Sequence, residues 1–159
     1  MFNLLGILLL SSLEFMGSCK QQLEAEIYLV PKGYQGAVYI IFNQKSGVSP
    51  KYENKMRLYE IPLNGILQTQ FKPNEEWHNL PLCFYVDDYG KRFEIPYKLL
   101  GSDVKGDTIQ TCCASSGIAY KDDKDKATSY DIFFIGTEKV IDSAFENRTK
   151  FNLSKYLED

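Results

Sequence analysis

The chain is poor in the residues that much metal and acid–base chemistry needs. Its 159 residues include one histidine, His78, and one tryptophan, Trp77. A lone imidazole excludes a multi-histidine metal site and any relay that passes a proton between two histidines. Excess charge is scarce as well: 18 Lys and Arg stand against 21 Asp and Glu, a formal net charge of −3. A dedicated nucleic-acid binder carries a basic excess for the phosphate backbone, so that partner class is excluded. No apolar run approaches the roughly 20 residues a membrane-spanning helix takes. The sequence has no G-x-x-x-x-G-K-[ST], H-E-x-x-H, G-x-S-x-G, G-x-G-x-x-G or paired C-x-x-C motif. Phosphate-cradle, zinc-hydrolase, serine-hydrolase, dinucleotide and zinc-ribbon readings therefore fall away. The expectation is no metal, no cofactor and no assembled catalytic motif.

What is present is an ordinary globular mixture, 44% hydrophobic and 25% charged, with 11 Tyr and 10 Phe. That aromatic content favours a β-rich core, and the length favours one domain. Residues 4–10 read L-L-G-I-L-L-L and are followed by Met16-Gly17-Ser18-Cys19. A short apolar run followed by small residues is the pattern of a secretory signal. Small residues immediately before a cysteine resemble the lipobox of bacterial lipoproteins. The resemblance implies a signal peptide over residues 1–18, cleavage before Cys19 and acylation of its thiol. Two or more acyl chains, at about 0.8 kcal/mol per buried methylene, anchor a protein stably. Residues 19–25 then form a short tether and residues 26–159 a single β-rich domain. Lys20, where an aspartate would resemble an inner-membrane retention signal, points to the outer membrane or the periplasmic face.

Strands are expected over residues 26–30, 37–43, 56–61, 66–71, 82–86, 92–95, 108–114 and 130–135, where β-branched and aromatic residues concentrate. Asn64-Gly65 reads as a hairpin turn between the third and fourth of these, and residues 87–91 as the turn of a second hairpin. Residues 44–54 and 115–129 read as polar loops, and no internal repeat is evident. After Gly136, Thr137 is an expected N-cap, with Glu138 in the first turn. Val140, Ile141, Ala144, Phe145 and Arg148 share a helical face, so a helix to about residue 148, extending as far as 157, should pack on the sheet. The fold class is mainly β: an antiparallel β-sandwich, transthyretin- or Ig-like, with a C-terminal α-helix.

Three cysteines remain beyond Cys19. Cys83 lies in the apolar run L-C-F-Y-V, where a buried thiol is expected, and Cys112-Cys113 is a vicinal pair. Neighbouring strand residues point to opposite faces, so one of the pair can bridge to Cys83 while the other stays free. Equally, all three can remain thiols. Trp77 and His78, in a loop bounded by Pro73 and Pro81, are the candidate binding residues for a glycan or peptide face. The bland alternative is that Trp77 plugs one end of the sandwich. His78 lies five residues from Cys83, but a nucleophilic thiol must be accessible and of low pKa, and an apolar strand gives neither. Asp122, Asp123 and Asp125 lack calcium-loop spacing and alternate with lysines, as a solvated loop does.

Two long stretches carry a family likeness. Y-L-V-P-K-G-Y-Q-G-A-V-Y-I-I-F-N-Q over residues 28–44 and Y-E-I-P-L-N-G-I-L-Q-T-Q-F-K-P-N over residues 59–74 resemble a family of small bacterial secreted proteins and lipoproteins, a domain of unknown function. Phe134-Ile135-Gly136-Thr137 before the helix fits the same pattern. That resemblance implies no site residues. A second likeness, of fold, is to transthyretin-like and carboxypeptidase-regulatory-like sandwiches, which are mostly non-catalytic modules. The expected function is a lipid-anchored envelope protein that binds a membrane through Cys19 and a protein or glycan partner through loops, as a non-catalytic binding or structural module. The alternative is a small thiol-dependent enzyme or redox protein using Cys112 and Cys113.

Overall fold

The structure, a computed structural model, describes residues 24–74, 80–98, 106–121 and 126–158. Among these the chain is mainly β, with two mixed sheets and one C-terminal α-helix. The strands are β1 Glu26–Pro31, β2 Gly36–Ile41, β3 Lys51–Glu53, β4 Met56–Glu60, β5 Ile66–Gln68, β6 Leu82–Val86, β7 Arg92–Glu94, β8 Gln110–Tyr120 and β9 Ala127–Gly136. The first sheet has the order β3-β4-β1-β6-β7 and the second β5-β2-β9-β8.

The sheets are not purely antiparallel, which corrects the antiparallel expectation. β1 runs parallel to both β4 and β6, and β2 runs parallel to β5. The cause lies in two turns that do not make hairpins. After β1, the turn at residues 31–36 carries the chain from the first sheet to the second, and Tyr34 N–H donates to Pro31 O at 3.0 Å. After β4, the Asn64-Gly65 turn makes the same crossing: Gly65 N–H donates to Pro62 O at 2.9 Å, and Gly65 has φ +74°. The expected β4–β5 hairpin is therefore an arch between sheets. The two arches stack, so both of their strands pair parallel, with Tyr28 opposite Tyr59 and Ile40 opposite Leu67. They share a short motif, Tyr28-Leu29-Val30-Pro31 and Tyr59-Glu60-Ile61-Pro62, which is an internal repeat.

Hairpins complete each sheet. The β6–β7 turn forms as expected: Asp87 Oδ1 accepts from the N–H of Tyr89 at 3.0 Å and of Lys91 at 2.9 Å. β3, which lies in the stretch expected to be a polar loop, forms a further hairpin with β4, turning at Asn54 and Lys55 with φ +49° and +66°. β8 and β9 run well into the stretch expected to be loop, pairing as far as Tyr120 with Ala127.

The core lies between the sheets. Tyr28 and Val30 of β1, Tyr59 of β4 and Cys83 of β6 meet Val38, Ile40, Phe133 and Ile135 from the second sheet. Tyr28 and Phe133 stack across the gap with ring centroids 4.7 Å apart. The outer face of the second sheet presents Tyr39, Ile41, Ile132 and Phe134 and is covered by α1, Glu138–Asn147, through Ile141. Thr137 occupies the N-cap position, without a side-chain hydrogen bond to the helix. The helix then gives way to two 3-10 turns, Arg148–Lys150 and Leu153–Tyr156. Leu153 and Leu157 bury against the same face, and Glu158 accepts from the N–H groups of Lys45 and Ser46 at 2.6 and 2.7 Å.

Candidate functional site

Along β9 the inward side chains are Ile135, Phe133 and, one step further, Asp131. The shared core thus ends in a carboxyl group. Residues from the first sheet make that end polar. Glu26 pairs with Arg57 across β1 and β4, next to Tyr28 opposite Tyr59. Tyr28 OH donates to Glu26 Oε2 at 2.6 Å and Tyr59 OH to Glu26 Oε1 at 3.2 Å. Arg57, 4% exposed, donates through Nε to Glu24 Oε2 at 2.6 Å and through Nη1 to Lys72 O at 2.6 Å. Asn74 Nδ2 donates to Glu24 O at 2.7 Å and to Glu26 Oε1 at 3.2 Å, while its Oδ1 is buried without a partner.

Asp131 is 5% exposed and accepts from Ser116 Oγ at 2.6 Å. Burial pushes its carboxyl up to about 6; the Ser116 hydroxyl and Arg57 oppose that rise, and Glu26 adds to it. Burial also drives the Tyr28 and Tyr59 phenols well above their ordinary value, so both are neutral donors at physiological pH. Outside Asp131 lies a cleft of about 270 Å³ lined by Pro73, Asn74, Ser116, Gly117, Ile118, Ser129 and Tyr130. Its wall is the β8–β9 hairpin. The Tyr130 ring packs directly over Gly117, where an added Cβ would stand 2.5 Å from Tyr130 Cζ and push the ring aside. Chemically the cleft offers the Asp131 carboxyl as an acceptor, beside the Tyr130 ring and the exposed Ile118 side chain. It suits a ligand that brings hydroxyl or amide donors.

The residues singled out from the sequence are placed as follows. Cys112 and Cys113 are bonded to each other through their sulfurs. Cys83 is left as a free, buried thiol, in place of the bridge to Cys83 that the sequence allowed. Burial pushes the Cys83 thiol up to about 11, which suits a core residue and not a nucleophile. Cys19, Trp77 and His78 lie outside the described residues, as do Asp122, Asp123 and Asp125. Among the described residues no group of three or more His, Cys, Asp or Glu side chains could hold a metal ion. Sequence reasoning missed Asp131, Ser116, Asn74, Arg57 and Glu26. The signal was present for one of them: Asp131 interrupts Y-D-I-F-F-I, where an acid is out of place in a strand buried on both faces.

Fold and site together define a two-sheet β domain with a polar cleft at one end of its core. The chain belongs to the Family of unknown function (DUF6843), whose model matches residues 22–145. The fold is similar to a crystal structure described as "Putative Lipoprotein from Bacillus anthracis", with a TM-score of 0.53 and 16% identity over 70% of this chain and 68% of that one. No curated protein matches the sequence.

Proposed function

We propose that the protein is a lipid-anchored component of the bacterial cell envelope, acylated at Cys19 after loss of residues 1–18. Residues 19–25 are its tether, the last two of them held against Arg57 and Asn74, and its β domain is a non-catalytic binding module that receives a protein or glycan partner at the cleft over Asp131. The observation that carries the binding role is an open cleft whose lining includes the buried Asp131 carboxyl, Asn74, Ser116 and the exposed Ile118. A buried carboxyl costs stability unless donors meet it, and a ligand's hydroxyl or amide groups are donors of the right kind. Trp77 and His78 follow Asn74 by three and four residues in the chain and belong to this reading as further binding residues. The anchor is supported by the Met16-Gly17-Ser18-Cys19 pattern and by the description of the structural neighbour. The absence of an aspartate after Cys19 favours the outer membrane or the periplasmic face.

Metabolic labelling with a radioactive fatty acid tests the anchor. Wild-type protein should carry label and fractionate with membranes, and Cys19→Ala should lose both. Equal labelling of the two, or an intact unacylated leader in the cytosol, would overturn it. For the cleft, cross-linking in intact membranes should yield a partner band that Ser116→Ala and Asn74→Ala weaken. A band unaffected by either change would remove the cleft from the binding role.

A further inference from the structure

We propose that Cys112 and Cys113 form a reversible two-electron redox site, reduced by a dithiol, that governs the strand segment walling the Asp131 cleft. The argument begins with strand geometry. Successive side chains in an extended strand point to opposite faces, so a bond between adjacent sulfurs requires one residue to leave that conformation. Cys113 does so, with φ +60°, a left-handed conformation that a side-chain-bearing residue rarely adopts. The ladder to β9 breaks at the same place. Cys112 pairs with Phe134 and the next pair is Ser115 with Ile132, so β8 carries one extra residue as a bulge. The bond joins residues 112 and 113 and the bulge takes in 113 and 114, so the two meet at Cys113.

Position makes the pair accessible from one side. β8 is an edge strand, Cys112 is buried against the Phe134 and Ile141 cluster, and Cys113 is exposed. A thiolate of an external dithiol attacks Cys113 Sγ, the sulfur–sulfur bond breaks, and Cys112 leaves as a thiolate that takes up a proton. The second thiol of the reductant then displaces Cys113 from the mixed disulfide. In sum, two electrons and two protons pass to the protein and the reductant becomes a disulfide; an oxidised dithiol runs the sequence backward. Cys83 takes no part, because it is buried and free.

The bulge also sets which β8 residues face the cleft. Ser116, Gly117 and Ile118 lie directly beyond it, and Ser116 donates to Asp131. Reduction removes the covalent link that holds Cys113 left-handed and so loosens the bulge that fixes this register. The site operates whether or not Cys19 is acylated.

The test uses the full chain carrying Cys19→Ala, so that the remaining thiols are Cys83, Cys112 and Cys113. In the folded, unreduced protein no thiol should react with maleimide. Millimolar dithiothreitol should raise the intact mass by about 2 Da, with two thiols becoming reactive and Cys83 reacting only in denaturant. Oxidised dithiothreitol should restore the starting mass. Amide exchange over residues 115–120 should quicken on reduction and return on reoxidation. The redox site would be overturned if oxidised dithiothreitol failed to restore the bond in the reduced, folded protein. A peptide cross-linked from Cys83 to either cysteine, or a bond that yields to dithiothreitol only after unfolding, would also overturn it. Unchanged exchange over residues 115–120 on reduction would overturn the coupling to the cleft, and Cys113→Ser, which cannot form the bond, should show the fast exchange without reductant.

Discussion

Replacing Asp131 with asparagine should stabilise the protein at neutral pH and leave it nearly unchanged in acid. The carboxyl is raised from its ordinary 3.8 to about 6 because burial disfavours the ionised form. That difference corresponds to roughly 3 kcal/mol at pH values above both. The direction follows from proton binding. Below about pH 4 the group is neutral in folded and unfolded chains alike, and the stability linked to it is fully present. As pH rises to about 6, the unfolded chain ionises first while the folded chain keeps its proton, so stability falls; above that it levels off. Asparagine is neutral throughout and its Oδ1 still accepts from Ser116, as Asp131 Oδ1 does. Urea unfolding at pH 4, 5, 6 and 7.5 should show wild type and Asp131→Asn within about 1 kcal/mol at the acid end, with the variant ahead by up to about 3 kcal/mol at pH 7.5. A variant that is less stable at pH 7.5, or a difference that does not change with pH, would refute the account of Asp131 as a desolvated carboxyl.

Phe133→Ala should cost about 3–5 kcal/mol in urea unfolding, since it empties the ring stacked on Tyr28 at the centre of the shared core. Gly65→Ala should cost about 1–3 kcal/mol, because φ is +74° and an added Cβ would lie 2.7 Å from Ala37 O; a loss below a few tenths would mean the arch relaxes freely. Gly117→Ala should displace Tyr130 and lower Tm, and a near-ultraviolet circular dichroism spectrum identical to wild type would contradict that.

The strand positions were legible because β-branched and aromatic residues mark them. Leu82–Val86 appears with the expected limits, and α1 follows Thr137 as its apolar spacing requires. The partners of those strands were not legible. Asn64-Gly65 supplies the positive φ that a hairpin needs, but the same φ also builds an arch, and the choice depends on what β1 and β2 have already done. The repeated Tyr-x-[Val/Ile]-Pro segment was the available clue. Arg57 was hidden by alternation: Met-Arg-Leu-Tyr reads with Met56 and Leu58 inward, whereas Arg57 and Tyr59 face the core. A buried guanidinium is intelligible only once Glu24 and the Lys72 carbonyl are in place, and those contacts span 33 and 15 residues of chain. The vicinal bond escaped for a related reason, since an extended strand keeps neighbouring sulfurs apart and the bulge that joins them leaves no mark in composition.

The place of β1 bears on the order in which this chain can mature. It is the first strand made and also the middle of its sheet, flanked by β4 and β6. Its hydrogen-bonding partners emerge some thirty and fifty-five residues later, as the pairings of Ile27 with Leu58 and Leu82 show. Strand β1 therefore has no partner until β4 is made and is flanked on both sides only when more than half of the polypeptide has been delivered, and such long-range pairing is slow. For the exported protein proposed above, which would thread a channel while still extended, that delay is useful. The same interval leaves an apolar strand open to wrong partners, so late pairing and avoidance of aggregation compete within one segment.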